Sequence, residues 1–127
     1  MTFPDDCRYT KDHEWVRMND DGTATIGITD YAQTELGDIV FVRIDDIGTH
    51  VDAEASFGEV EAVKTVSELF APIAGTIEAH NADLDDAPET VNGDPYGAGW
   101  MATIRPDDAA DVDALLSADD YKTTIGA

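Results

Sequence analysis

Short runs of alternating apolar and polar residues, separated by glycine, proline and aspartate, recur through most of the chain. Such alternation puts every second side chain on one face of a strand, so the pattern predicts a protein built mainly of short, half-buried β-strands. Glu14–Met18 and Thr23–Ile28 flank Asn19-Asp-Asp-Gly22, and Asp-Gly tolerates the positive φ of a hairpin turn. Thr29–Gly37 predicts a short helix, with Thr29 or Asp30 to cap its first amides and Gly37 to end it. Asp38–Ile44 is strongly β-prone, Asp45–His50 a loop, and Val51 starts a short strand or turn before Phe57. Strands over about 57–62 and 66–70 enclose Lys64, and Pro72 with Gly75 marks a corner. Thr76–His80 is a further strand, Asn81–Gly99 a long loop rich in turn dipeptides, and Trp100–Ile104 a strand. Pro106-Asp-Asp108 suits the first turn of the main C-terminal helix, expected at about 106–117. Val112, Leu115 and Leu116 supply its apolar stripe, and Ser117 with Asp120 a weak cap for one last turn before Tyr121. A loose echo of the Gly37–Val51 stretch in Gly75–Val91 suggests two β-halves meeting at the Lys64 hairpin. Many short strands with an appended helix predict a sandwich or flattened barrel.

The chain has 127 residues, of which 43% are hydrophobic, enough for one domain with an ordinary core. The N-terminus lacks the basic and apolar regions of a signal peptide, and no stretch approaches a membrane span. Cys7 is the only cysteine, so there is no disulfide framework or thiol pair. These features together predict a cytoplasmic protein. The net charge of −21 comes mostly from Asp and is dispersed over turns, strand edges and the C-terminal segment. Dispersed acidity resembles that of proteins from salt-loving organisms, where a screening length of about 3 Å at molar salt blunts repulsion. It argues against nucleic acid as a partner, since phosphates would be repelled and no basic stripe exists.

Candidate chemistry narrows to one side chain. His13, His50 and His80 are scattered without metal-ligand spacing. Ser56, Ser67 and Ser117 lack a nucleophile elbow. Gly93, Gly97 and Gly99 precede a strand and offer no helix N-terminus to a phosphate. Lys64 stands alone at the tip of the predicted 57–70 hairpin, among Glu59, Glu61 and Glu68, and the chain has only two other lysines, Lys11 and Lys122. Two readings fit it on these grounds: an ordinary solvated lysine, or an amine presented for covalent loading. A Schiff-base nucleophile needs a free amine near neutral pH, whereas neighbouring carboxylates hold the ammonium charged. Lys64 is therefore a carrier's residue before it is a catalyst's.

The residues around it resemble the lipoyl carriers, and over nearly the whole chain the H-proteins of the glycine cleavage system. The resemblance rests on Arg8-Tyr-Thr, His13-Glu-Trp-Val, Ile26–Gln33, Leu36–Val42, Val60-Glu-Ala-Val-Lys64, Ser67-Glu, Ala71-Pro, Gly75, Val91–Trp100, and Leu115-Leu116 with Tyr121. The helix after Ile28 and the Asn92–Trp100 loop set it apart from lipoyl domains of 2-oxoacid dehydrogenases. Val63 and Thr65 stand where a biotin carrier has Met. Departures are Ala62, Thr65, Asp12 and Glu35, where the family more often has Ser, Ala and more neutral or basic residues.

The resemblance implies a mainly β, barrel-sandwich hybrid (lipoyl-domain-like) fold with a short internal helix and a C-terminal helix. It implies a non-catalytic carrier whose lipoate is attached to Lys64 by a lipoate ligase or lipoyltransferase. The partners it implies are the P-protein (glycine decarboxylase), the T-protein (aminomethyltransferase) and the L-protein (dihydrolipoyl dehydrogenase), within one-carbon metabolism. By the same resemblance Glu14 contacts the aminomethyl-bearing arm, with Trp15 as an apolar wall. An acidic interaction protein without a cofactor, or an H-like protein that only relays lipoate to other enzymes, are the rival expectations.

Overall fold

Gly22, at φ 88°, closes the Asn19–Gly22 turn and folds strand β2 (Glu14–Met18) back on β3 (Ala24–Ile28). The computed structural model describes all residues from 1 to 127. Strand β1 (Arg8–Tyr9) precedes this hairpin, and helix α1 (Asp30–Leu36) follows it. Thr29 caps α1 by accepting from the Ala32 amide at 3.1 Å, and Gly37 ends it at φ 79°. The next strands are β4 (Ile39–Ile44), β5 (His50–Val51), β6 (Ser56–Ala62), β7 (Val66–Phe70) and β8 (Gly75–His80). Short helical turns α2 (Asp83–Asp86) and α3 (Thr90–Gly93) lead to β9 (Ala102–Pro106), α4 (Ala110–Asp113) and α5 (Ala118–Ile125).

All strand pairs are antiparallel, in a six-stranded sheet ordered β1-β2-β3-β9-β8-β5 and a three-stranded sheet ordered β4-β6-β7. Val16, Ile26, Ile77 and Ile104 of the first face Val42, Phe57, Val60 and Leu69 of the second in one continuous core. This is a barrel-sandwich arrangement whose sheets do not close. Hydrophobic burial supplies its main cohesion, and no buried side-chain nitrogen or oxygen lacks a hydrogen-bond partner.

A second apolar cluster of Tyr9, Trp15, Tyr96, Ala118, Tyr121 and Cys7 sits beneath α5. Val16 belongs to the main core and Trp15 to this second cluster, as the alternating faces of a strand require. Burial pushes the Cys7 thiol up to about 12, which leaves it unreactive at neutral pH.

The C-terminal expectation needs correction. Residues 106–117 do not form the main helix. Pro106 ends β9 opposite Gly75, and α4 covers only Ala110–Asp113. The chain leaves α4 because Leu116 exchanges backbone hydrogen bonds with Tyr9 at 2.8 and 2.9 Å. The stripe is divided accordingly: Val112 enters the main core while Leu116 packs on the second cluster. The longer helix is α5, capped as the Ser117–Asp120 pair suggests, with the Asp120 amide donating to Ser117 Oγ at 3.2 Å. The Asn81–Gly99 segment, expected as loop, holds α2 and α3. The Lys64 hairpin joins β6 and β7 within the three-stranded sheet, while β5 and β8, on either side of it in sequence, pair in the other.

Candidate functional site

Lys64 lies exposed at the turn between β6 and β7. The turn is tied down on both sides. The Ala62 amide donates to the Thr65 carbonyl at 2.8 Å, and the Val63 amide to the Asp38 carbonyl at 3.1 Å. A β-carbon at Gly37 would lie 3.6 Å from Lys64 Cε, so the lysine stem runs over the end of α1. Asn92, on α3, fixes that junction: its amide donates to the Gly37 carbonyl (2.8 Å) and Gln33 Oε1 (3.0 Å) and accepts from the Ile39 amide (2.9 Å). Val63 is 75% and Val66 56% exposed, and the outward face beside them carries Phe41 and Glu61 in one cross-strand row.

Beside the lysine stem a cleft of about 300 Å³ opens between α1, the edge of β7 and the turn before β2. Its apolar walls are Ile28, Ala32, Leu36, Val60 and Leu69; its polar groups are Asp12, His13, Glu14, Tyr31, Glu35, Ser67 and Glu68. No lysine or arginine lines it. Glu14 is only 2% exposed. Its Oε2 accepts from the Phe70 amide at 3.2 Å and its Oε1 from the Thr10 hydroxyl at 2.9 Å. Burial pushes the carboxyl up to about 8; the two donors oppose that rise and the charge of Asp12 adds to it. A carboxyl poised in this way ionises readily when a cation enters beside it.

His13 holds a left-handed backbone, φ 68°, at the turn into β2. Its ring lies 4.8 Å from that of Tyr31, and Nδ1 is 2.8 Å from the Tyr121 hydroxyl, which also lies 2.8 Å from Thr29 Oγ1. Burial lowers the His13 pKa, against the pull of Asp12 and Glu35, so the imidazole adds no standing cation to the cleft. One hydroxyl from α5 thus ties the cleft's turn to the cap of α1.

Glu14 is tied to the strand that follows Lys64 through the Phe70 amide of β7. Trp15 does not wall the cleft: it is fully buried on the opposite face of β2, donating from Nε1 to the Pro95 carbonyl at 2.9 Å. The cleft's apolar wall comes instead from α1 and the β6–β7 hairpin. Thr10, Asn92 and Tyr121 were not singled out by their chemistry in the sequence. Only Thr10 leaves a local signal, a hydroxyl two residues before Asp12 whose Oγ1 accepts the Asp12 amide as in a side-chain turn.

Comparison with known proteins gives the family. The family model described as "Glycine cleavage H-protein" matches residues 7–127. The chain belongs to the glycine cleavage H-protein family. It is 58% identical over 127 residues to the glycine cleavage system H protein of Chlorobaculum tepidum, covering 99% of each chain. It is 52% identical over 121 residues to that of Bacillus velezensis, covering 95% of this chain and 94% of that one. The crystal structure of a glycine cleavage system H protein from Mycobacterium marinum superposes with a TM-score of 0.90 at 43% identity, covering 98% and 99% of the two chains. As an H-protein family member the chain is a carrier component of the glycine cleavage system and not a catalyst. It moves lipoate-bound intermediates among the P, T and L proteins of that system.

Proposed function

We propose that Lys64 is the attachment point for lipoate and that Glu14 is the carboxylate that receives the aminomethyl cargo. The observation that carries this reading is the juxtaposition of an exposed hairpin lysine with a cleft that combines apolar walls and one buried carboxyl. The residues fit the group. An amine at a fixed, solvent-facing turn suits acylation by a separate enzyme, and Ile28, Leu36, Val60 and Leu69 suit an aliphatic arm. Bound there, lipoate would supply a dithiolane that opens to take the aminomethyl group and, once reduced, is reoxidised by thiol–disulfide exchange. The chain's own residues would hold the arm, exclude water and offer Glu14 to the ammonium end. A charge-assisted hydrogen bond there is worth about 1.5–3 kcal/mol.

On this reading the P-protein loads the arm, the T-protein passes the one-carbon unit to tetrahydrofolate, and the L-protein restores the disulfide. A lipoate ligase or lipoyltransferase completes the partner set. No helix is long and apolar enough to cross a membrane, and a single buried, unpaired cysteine is consistent with a reducing cytoplasm.

Intact-mass measurement after incubation with lipoate, ATP and a lipoate ligase tests the attachment. The wild-type chain should gain one lipoyl group, and Lys64→Arg should fold normally, gain none and fail to support glycine–carbon dioxide exchange with the P-protein. Lipoate on Lys11 or Lys122, or full activity of Lys64→Arg, would remove Lys64 from this role.

A further inference from the structure

Glu14 borders two clefts. The second, about 250 Å³, lies on the far side of the β1–β2 turn and is lined by Thr10, Lys11, Glu54, Pro72 and Leu115 among others, meeting the first only at Asp12 and Glu14. Thr10 belongs to the second cleft alone. Its position is set by the turn itself: the Thr10 amide donates to the Glu14 carbonyl at 3.0 Å and the His13 amide to the Thr10 carbonyl at 3.1 Å. Thr10 Oγ1 accepts from the Asp12 amide (3.2 Å) and the Glu14 amide (3.3 Å). With those two amides occupying its acceptor side, the hydroxyl hydrogen is left to point at Glu14 Oε1, 2.9 Å away.

We propose that Thr10 is the positioning residue for Glu14: working from the second cleft, its hydroxyl fixes the carboxylate rotamer and favours the charged form that the cationic cargo needs. This rests on the reading of Glu14 as the cargo's partner. The other donor, the Phe70 amide, belongs to the strand that carries the Lys64 hairpin. Thr10 is the only side chain that donates to this carboxylate. Everything else charged around Glu14 opposes ionisation or is loosely held. Asp12 lies in the same turn, Glu35 on α1 and Glu68 on β7, all acidic. Lys11 in the second cleft is drawn to Glu54 at 3.9 Å, with both side chains about three-quarters exposed. His13 and Tyr121 face each other. One hydroxyl therefore works beside the Phe70 amide against the cost of burial.

The test uses the full-length protein without lipoate and reads Glu14 directly by carbon NMR of its carboxyl through a pH titration. Thr10→Val keeps the shape and removes the donor. It should raise the Glu14 midpoint by about one pH unit, the tenfold change in proton affinity that one hydrogen bond to a charged group supplies. Thr10→Ser restores the hydroxyl and should restore the midpoint, which a merely structural role of the methyl group would not do; Thr10→Ala replaces the valine variant if that one does not fold. An unmoved midpoint in the variant lacking the hydroxyl, or a serine variant displaced as far as the valine one, overturns the proposal. The lifetime of the aminomethyl-loaded protein, followed by formaldehyde release without T-protein, is then measured across pH. A lifetime several-fold shorter in Thr10→Val, most so at the acid end, supports both assignments. A shifted midpoint with an unchanged lifetime keeps Thr10 as the partner of Glu14 but overturns Glu14 as the partner of the cargo.

Discussion

Glu14 is a carboxyl taken almost wholly out of water and left with only two neutral donors. Burying it raises its affinity for a proton above that of the unfolded chain, so folding carries a pH-dependent cost. The folded value is about 8 and the ordinary one 4.5. Below the ordinary value both states hold the proton and no cost arises. Between the two values the folded state binds more protons, so stability falls as pH rises and levels off above the folded value. Glu14→Gln has no proton to lose. Its amide oxygen can accept from Phe70 and its NH₂ can donate to Thr10. Urea unfolding at pH 5 and pH 8 should therefore show the wild type losing on the order of 3 kcal/mol relative to Glu14→Gln. The lowered His13 value acts equally in both proteins and cancels. Parallel pH profiles would mean that water reaches Glu14 freely. The same variant should be lipoylated at Lys64 like the wild type while its aminomethyl-loaded form decays faster, measured as formaldehyde and ammonia released without T-protein. Equal decay rates would mean that another group shelters the cargo.

Among the elements, the Lys64 hairpin depends on how closely β6 sits against β4. Gly58 pairs with Ile44, and a β-carbon there would meet the Arg43 carbonyl oxygen at 2.2 Å. That neighbour is backbone and cannot swing aside, so Gly58→Ala must force the strands apart. A loss of about 2–4 kcal/mol is expected, read by urea unfolding, with faster hydrogen exchange at the β4 amides; an unchanged midpoint would mean the sheet yields elsewhere. Much at this scale was legible in the sequence. The turn residues and alternation marked β2, β3, β6, β7 and β8 within a residue or so, and Thr29 and Gly37 bounded α1, because those signals are local. The 106–117 helix was misread because its apparent stripe is interrupted by a long-range backbone bridge from Leu116 to Tyr9. Trp15 was misplaced although strand alternation alone sends it away from the face of Glu14. Asn92, which secures the junction under Lys64, acts on residues more than fifty positions away, and no local pattern announces that. Lys64 was singled out because it is solitary at a hairpin tip and because the residues on either side of it resemble the lipoyl carriers; the groups that orient the cleft were missed because they converge only after folding.

At the scale of the whole molecule, charge sets the conditions under which these parts work. Seven basic residues face 28 acidic ones, and the four arginines do not stand free. Arg17 pairs with Asp6 at 3.0 Å, Arg43 with Asp45 at 2.7 Å and Glu59 at 3.6 Å, and Arg105 with Glu78; Arg8 donates to the Leu115 carbonyl. Most carboxylates therefore have only water and other carboxylates for company, and compaction brings them closer. At about 0.1 M salt the screening length is about 10 Å, long enough for neighbouring surface acids to repel; at about 1 M it is near 3 Å and they largely cease to. Raising potassium chloride over that range should increase the melting temperature, by about 5 °C if screening recovers about 1 kcal/mol. Screening of a dispersed net charge has a second signature that separates it from general salting-out. Replacing Asp85, Asp86, Asp111 and Asp113, all remote from the Lys64 cleft in sequence and absent from its lining, with asparagine should raise stability in dilute buffer and shrink the salt response together. A salt response of equal size in the neutralised variant would place its origin in apolar burial. No response in the wild type would assign the acids to solubility or partner steering alone.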